Sequence, residues 1–339
     1  VPSLFDPFEL KGLQLKNRIM MSPMCQYQAN EDGTVAEWHY VHYGSRAVGG
    51  VGLVMVEASG VENRGRITTR DVGIFSDTHI PGLRRIVDFC HTYGAKIGIQ
   101  LAHAGRKSEV AEEPNVGPSA IAFSEKYRVP QELTVEEIQQ IVEAFGQAAR
   151  RAVQAGFDTV EIHGAHGYLI HEFLSPISNR RTDSYGGSQT NRLRFPLEVI
   201  ARVKKELPPG MPLLMRVSAT EYAADGYDVS DMVEMVKQFK EAGVDMIDVS
   251  SGGNLPVAPV QYPGYQLAFA EQIRKQAEIG VITVGRMESP QLAEETIRNG
   301  RADIVAVARG LLRDPHWAKT AAVALGVEME MPGVYRMGY

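Results

Sequence analysis

Between Asp158 and Ser175 the chain reads DTVEIHGAHGYLIHEFLS, and one short stretch of it supplies His163, His166 and Tyr168. The imidazoles and the phenol leave the end of an alternating β-type segment, Thr159-Val160-Glu161-Ile162. Two ring N–H donors and a weak acid can hold a carbonyl oxygen and deliver a proton beside it. The His-x-x-His spacing could also be half of a metal site. Zinc sites add Cys, His or carboxylate ligands at recognisable spacing; none is evident, and we expect no metal.

These side chains need a scaffold that brings strand ends together. Eight β-rich segments recur: Asn17–Ser22, Val51–Val56, Lys96–Leu101, Asp158–His163, Leu213–Ser218, Asp245–Ser250, Gly280–Val284 and Asp303–Val307. Most are near-continuous apolar runs, as in parallel strands covered on both faces. Helical stretches separate them. Thr134 to Gly156 has a capping box with Glu137 and a glycine stop, and Ser230–Gly243 and Ser289–Gly300 repeat the polar start and glycine end. The alternation predicts an α/β fold, a (β/α)8 TIM barrel, with insertions at Lys107–Val129 and Tyr168–Thr190 after strands three and four. The rival, a doubly wound open sheet, would show a GxGxxG turn after a strand, and none is present. Residues 1–339 read as a single domain, with 326–339 a C-terminal tail.

Composition narrows the function class. Of 339 residues, 44% are hydrophobic and 22% charged, with a net charge of −6. That balance suits a protein with a full core and gives no support for nucleic-acid or membrane-surface binding. No apolar run approaches the roughly 20 residues needed to cross a bilayer. The start, VPSLFDPFEL, is unlike a signal peptide, and Cys25 and Cys90 are too few for a disulfide framework. A cytoplasmic location is expected.

A TIM barrel keeps its active site at the C-terminal strand ends. Those ends carry Ser22-Pro23-Met24-Cys25, Ala58, Gln100, His163 and His166, Arg216, Ser250 to Gly253, Gly285-Arg286 and Arg309-Gly310. The glycine loops after strands seven and eight, with Arg309, suit a phosphate. Arg216 and Gln100 lie in apolar strands and need partners: an ion pair, or the polar edge of a bound ring. Read by type alone, Cys25 is either a small buried hydrophobe or a nucleophile that needs a base. Cys90 reads as core, and His103 and His171 as packing or supporting hydrogen bonds.

MSPMCQY (Met21–Tyr27), IGIQLAHAGRK (Ile97–Lys107), EIHGAHGYLIHEFLSP (Glu161–Pro176), SNRRTDSYGGS (Ser178–Ser188) and ARGLLRDP (Ala308–Pro315) together resemble the Old Yellow Enzyme family. MSPMC, with a tyrosine two residues on, is similar to its thermophilic-like branch. The resemblance implies an FMN-containing barrel that uses NADPH to reduce activated C=C bonds. By that resemblance Ser22, Pro23, Met24, Cys25, Ala58, Gln100 and Arg216 line a non-covalently held isoalloxazine ring, and Gly285, Ala308 and Arg309 hold the FMN phosphate. His163 and His166 grip the substrate oxygen, Tyr168 donates the proton, and Tyr27 borders the substrate. Arg180 and Arg181 order the insertion after strand four.

Two departures stand out. The usual HAAH is HGAH here, and Gly164 is expected to loosen the turn. The tail ends Tyr335-Arg336-Met337-Gly338-Tyr339, with methionine where relatives place an arginine that reaches a neighbouring subunit's site. In an extended tail that one-residue shift turns Arg336 to the opposite face. The aromatic terminus still implies a docked tail and a homodimer or homotetramer.

Overall fold

A computed structural model describes residues 1–338. Twelve strands are present: β1 Phe8–Leu10, β2 Leu13–Leu15, β3 Ile19–Met21, β4 Leu53–Gly60, β5 Lys96–Ala102, β6 Val116–Gly117, β7 Gln131–Glu132, β8 Thr159–Gly164, β9 Leu213–Ser218, β10 Met246–Ser250, β11 Gly280–Thr283 and β12 Ile304–Val307. Eight of them close in the order β10-β11-β12-β3-β4-β5-β8-β9. Every neighbouring pair is parallel, so this is the expected (β/α)8 barrel. The helices outside are α1 Glu37–Val48, α2 Ile80–Thr92, α3 Val135–Ala155, α4 Leu169–Leu174, α5 Gln189–Lys204, α6 Val229–Ala242, α7 Leu267–Ala277, α8 Pro290–Arg298, α9 Arg309–Arg313 and α10 Trp317–Ala324.

Two apolar layers build the barrel. Inside, Met20, Leu53, Met55, Leu214, Met246, Ile282 and Ile304 pack together, and Leu13 and Leu15 of the β1–β2 hairpin close the N-terminal end. Outside, the opposite strand faces bury against the helices, which hold the larger core. With the lower interior full of side chains, only the C-terminal mouth is open to chemistry.

The local signals act as their residue types dictate. Thr134 accepts from the Glu137 N–H at 3.2 Å, the Glu137 carboxylate accepts from the Thr134 N–H, and Gly156 ends α3 at φ +93°. α6 starts one residue earlier than Ser230 implied, because Asp228 accepts from Ser230 N and Asp231 N at 2.8 and 3.2 Å. Ser289 caps α8, which ends at Arg298. The first barrel strand begins at Ile19: Asn17 spends its amide on Gly50 O and Ile19 N, making a turn. β4 runs past Val56 to Gly60 through a register shift between Val56 and Ser59, and that irregular stretch carries Ala58.

Gly164 does not loosen a turn. It is the buried last residue of β8, and a Cβ there would meet Met215 Cε at 2.6 Å and Arg216 O at 2.9 Å. With β9 this close, a larger residue would require Met215 and the β9 backbone to shift. The tail is not extended either. Gly333–Gly338 is a 3₁₀ segment with Arg336 exposed, so strand-like alternation does not set that side chain's direction. Tyr335 lies 5.8 Å from the His316 ring; the aromatic Tyr339 falls outside the described residues.

Candidate active site

At the floor of the mouth, β9 and β10 pair Arg216 with Asp248, and β5 and β8 pair Gln100 with Glu161. All four side chains are buried. Arg216 Nε donates to Asp248 Oδ2 at 2.7 Å, and its Nη2 donates to Ser22 Oγ at 2.8 Å. Gln100 Nε2 donates to Glu161 Oε1 at 2.8 Å. The buried Arg216 thus has the ion pair its strand demanded, and Ser22, at the end of β3, is tied into it.

Above this layer β8 delivers the histidines. His163 Nδ1 accepts from the Ala165 N–H at 3.4 Å, which places the ring proton on Nε2. His166 sits at φ +61° and is held from several sides. Its N–H donates to Ser218 Oγ at 3.0 Å, and its carbonyl accepts from Lys107 Nζ at 2.9 Å. Gly167 follows at φ +70°; a Cβ there would lie 2.3 Å from Gly253 O. The Gly167 N–H donates to His171 Nδ1 at 2.9 Å, and His171 is fixed by Glu221 at 3.1 Å. His171 is therefore a support for the loop, as its sequence position implied.

A hydroxyl chain assigns the second tautomer. Tyr222 donates to Ser251, and Ser251 donates to Gln266 Oε1 at 2.5 Å. Ser250 Oγ is 2.6 Å from His166 Nε2 and 3.3 Å from the same Gln266 oxygen. With the shorter contact taken as Ser250 donating to His166 Nε2, the ring proton is assigned to Nδ1. The His163 ring centroid is 5.3 Å from that of His166 and 5.1 Å from that of Tyr168. His163 Nε2, His166 Nδ1 and the Tyr168 hydroxyl make no hydrogen bond among the described residues.

Burial, assisted by Arg216 and Lys107, holds both histidines well below the usual imidazole range. Burial also raises Tyr168 well above the usual phenol range, with Cys25 and Tyr27 contributing. At neutral pH the trio is uncharged and every member can donate. Cys25 is likewise pushed well up, by burial and by Asp71 and Glu57, so it is held as the neutral thiol.

The remaining sequence candidates ring the same mouth. Pro23, Met24 and Cys25 follow β3, and Tyr27 lies on the rim, 48% exposed at φ +54°. Gly285 follows β11 at φ +117°, where a Cβ would come within 2.7 Å of Gln266 Nε2. Ala308 follows β12, and exposed Arg309 donates to Gln261 at 2.9 Å. Arg181 is buried and bonds the carbonyls of Pro118 and Leu133 at 3.1 and 2.6 Å, tying the two insertions together. Arg180 is exposed and its N–H bonds Ser119.

Sequence reasoning passed over Asp248, Lys107 and Gln266. Asp248 was findable: it is a charge in the apolar strand DMIDVS, the same signal that marked Arg216. Lys107 sits between Phe123 and Tyr168, its Nζ 4.3 and 4.9 Å from their rings, with burial lowering its pKa to about 8. Nothing local in the sequence marks Gln266, whose role comes from its place beneath Ser250 and Ser251.

A family model described as NADH:flavin oxidoreductase / NADH oxidase matches residues 3–328. The chain belongs to this family. An NADPH dehydrogenase of Geobacillus sp. (strain WCH70) is 54% identical over 99% of this chain and 98% of its own. That of Bacillus subtilis (strain 168) is 50% identical over 99% of both chains. Among solved structures, morphinone reductase in complex with tetrahydroNAD gives a TM-score of 0.82 at 30% identity, covering 98% of this chain and 93% of that one. A 2-naphthoyl-CoA reductase complex gives 0.91 at 28% identity over 96% of this chain and 52% of that one. These are Old Yellow Enzyme-type barrels, as the motifs indicated. The family makes the chain an FMN-dependent NAD(P)H oxidoreductase. Among the described residues no helix is long and apolar enough to cross a membrane.

Proposed function

We propose that this oxidoreductase is an ene-reductase, which consumes NADPH and reduces the C=C bond of α,β-unsaturated carbonyl compounds and of nitroalkenes. The observation that carries the reading is the convergence of three unpartnered donors, His163 Nε2, His166 Nδ1 and the Tyr168 hydroxyl, above a buried guanidinium.

The mouth suits FMN. Arg216 commits Nε and Nη2 to Asp248 and Ser22, leaving Nη1 without a bond among the described residues. Gln100 commits its amide nitrogen and leaves its oxygen free. One free donor and one free acceptor, on the two strands that flank β8, match the edge of a heteroaromatic ring. Ser22, Pro23, Met24, Cys25 and Ala58 would line that ring. Gly285, Ala308 and Arg309 would take the phosphate.

Bound there, FMN would supply hydride chemistry, with NADPH as the reductant. Attack at the β-carbon places negative charge on the substrate oxygen, where the two imidazole N–H groups stabilise it. Removing one such donor typically costs about 3 to 4 kcal/mol. Tyr168, kept protonated by burial, gives its proton to the α-carbon. Tyr27 borders the substrate from the rim.

Two coarser readings accompany this one. The free thiols Cys25 and Cys90 suit the cytoplasm. Exposed Trp38 and Val41 on one face of α1, 53% and 64% accessible, suit a homodimer or homotetramer, which sedimentation would measure. The function itself is tested by the purified protein's absorption spectrum and by turnover of cyclohexenone and a nitroalkene with NADPH. Failure to bind FMN, or flavin reduction without alkene turnover, overturns it.

A further inference from the structure

Beneath the candidate flavin site lies a pair of buried carboxyl groups with no role in the steps above. Glu161 and Asp248 are both fully buried on the inner barrel face. Their accounts differ at one atom each. Glu161 Oε1 accepts from Gln100, and Asp248 Oδ2 accepts from Arg216. Glu161 Oε2 and Asp248 Oδ1 are buried without a donor. The two side chains flank one guanidinium, with Arg216 Nε 3.9 Å from Glu161 Oε1 and Arg216 Nη2 2.6 Å from Asp248 Oδ2, and each carboxyl acts on the other's proton affinity. Two bare carboxylate oxygens would repel in a medium of low dielectric. A single proton between them satisfies both at once.

We propose that Glu161 and Asp248 share one proton across these two oxygens, and that the pair exchanges it with solvent as FMN bound against Arg216 is reduced and reoxidised. The coupling rests on the flavin placement proposed above; the shared proton does not. With the proton present, Arg216 and the pair sum to zero charge. With it lost, the layer carries one net negative charge directly under the site.

The surroundings leave few other charges to respond. Arg216 on β9 is the cation in contact with the pair. Ser22 from β3 and Gln100 from β5 are neutral, and His163 and His166 above are held uncharged. Lys107 lies beyond them, and the Tyr265 phenol faces Arg216. The other inward residues, Met55, Met246, Ile282 and Ala306, are apolar. Burial first, and then Asp248, raises Glu161 to about 8, so the proton is held at neutral pH and is lost within a testable range.

The chemistry balances without a further reactant. With FMN bound, NADPH would be the reductant, and the pair would change only its protonation, from carboxylate plus a solvent proton to carboxylic acid. New negative charge beside Arg216 raises the proton affinity of the pair. Above the pKa of the oxidised state, reduction therefore draws in one proton more than the flavin itself needs. For two electrons, one extra proton steepens the midpoint potential by about 30 mV per pH unit.

The test uses the holoenzyme and its Glu161→Gln variant, which keeps the shape of the protonated acid but cannot ionise. Infrared difference spectra at pH 7 should show a deuterium-sensitive carboxylic C=O band in the wild type that Glu161→Gln lacks. Potentiometry should show a steeper slope above about pH 8 in the wild type, and no break in Glu161→Gln. If Glu161→Gln does not fold, Asp248→Asn and the pH titration of the wild-type band replace it. Absence of a band overturns the shared proton, and identical slopes overturn its coupling to FMN. Loss of alkene turnover with band and slope intact would overturn the ene-reductase reading alone.

Discussion

Ser250 Oγ stands 2.6 Å from His166 Nε2, with a second acceptor, Gln266 Oε1, at 3.3 Å that Ser251 also bonds at 2.5 Å. On the proposed reading, this serine sets which nitrogen of His166 faces the substrate. Ser250→Ala frees the tautomer. We expect kcat/KM for cyclohexenone to fall about 10-fold, the size of one hydrogen bond, with FMN reduction by NADPH unchanged. Nitrogen NMR of the imidazole should report Nδ1–H in the wild type and a mixture in the variant. An unchanged tautomer would show that Ser250 does not set it.

Tyr168 is the proposed acid, and its two half-reactions separate that role from packing. Tyr168→Phe keeps the ring and its position beside His163. Stopped-flow measurement should give flavin reduction within about 2-fold of wild type and alkene reduction slowed by about 100-fold or more. Equal slowing of both steps would assign the phenol to binding instead.

How much of this could be read from the chain alone follows from range. The barrel was legible because its signals are local: apolar runs of strand length, the Thr134–Glu137 capping box and Gly156 repeat along the sequence. The site residues were legible because a barrel brings strand ends to one mouth, so His163, Arg216 and Gly285 needed only their strands to be recognised. What could not be read is lateral. The Arg216–Asp248 pairing depends on strand register, and Gln266 reaches Ser250 only through the loop before α7. Gly164 misled for the same reason: a glycine after a histidine looks like turn chemistry until Met215 and Arg216 O close on it from β9. The tail misled because the sequence carries no mark separating 3₁₀ from extended backbone at Gly333–Gly338.

Arg309 lies exposed beyond β12, where its Nη2 donates to Gln261. Arg309→Ala should weaken FMN binding by about 10- to 100-fold, as loss of one charge-assisted contact does. The fluorescence of released flavin measures it. Flavin without its phosphate, riboflavin, should bind wild type and variant alike. A matching loss for riboflavin would place Arg309 elsewhere than at the phosphate.

Glu172 is a carboxyl buried on α4 that bonds the Arg106 N–H at 3.1 Å, and burial raises it to about 8 despite Arg106. Its folded pKa lies above the unfolded value of 4.5, so the folded state holds a proton that the unfolded state has released. The stability this gives is complete below the unfolded pKa and is lost as pH rises through about 8. The slope for one such group is at most about 1.4 kcal/mol per pH unit. Glu172→Gln cannot ionise and keeps the shape that Gly105 packs against. Urea unfolding at pH 6 and pH 8.5 should therefore show the wild type losing more stability than the variant over that interval. Glu161 titrates in both proteins and cancels from the difference. Parallel losses would mean that Glu172 is already ionised in the fold, with Arg106 supplying the charge that burial withholds.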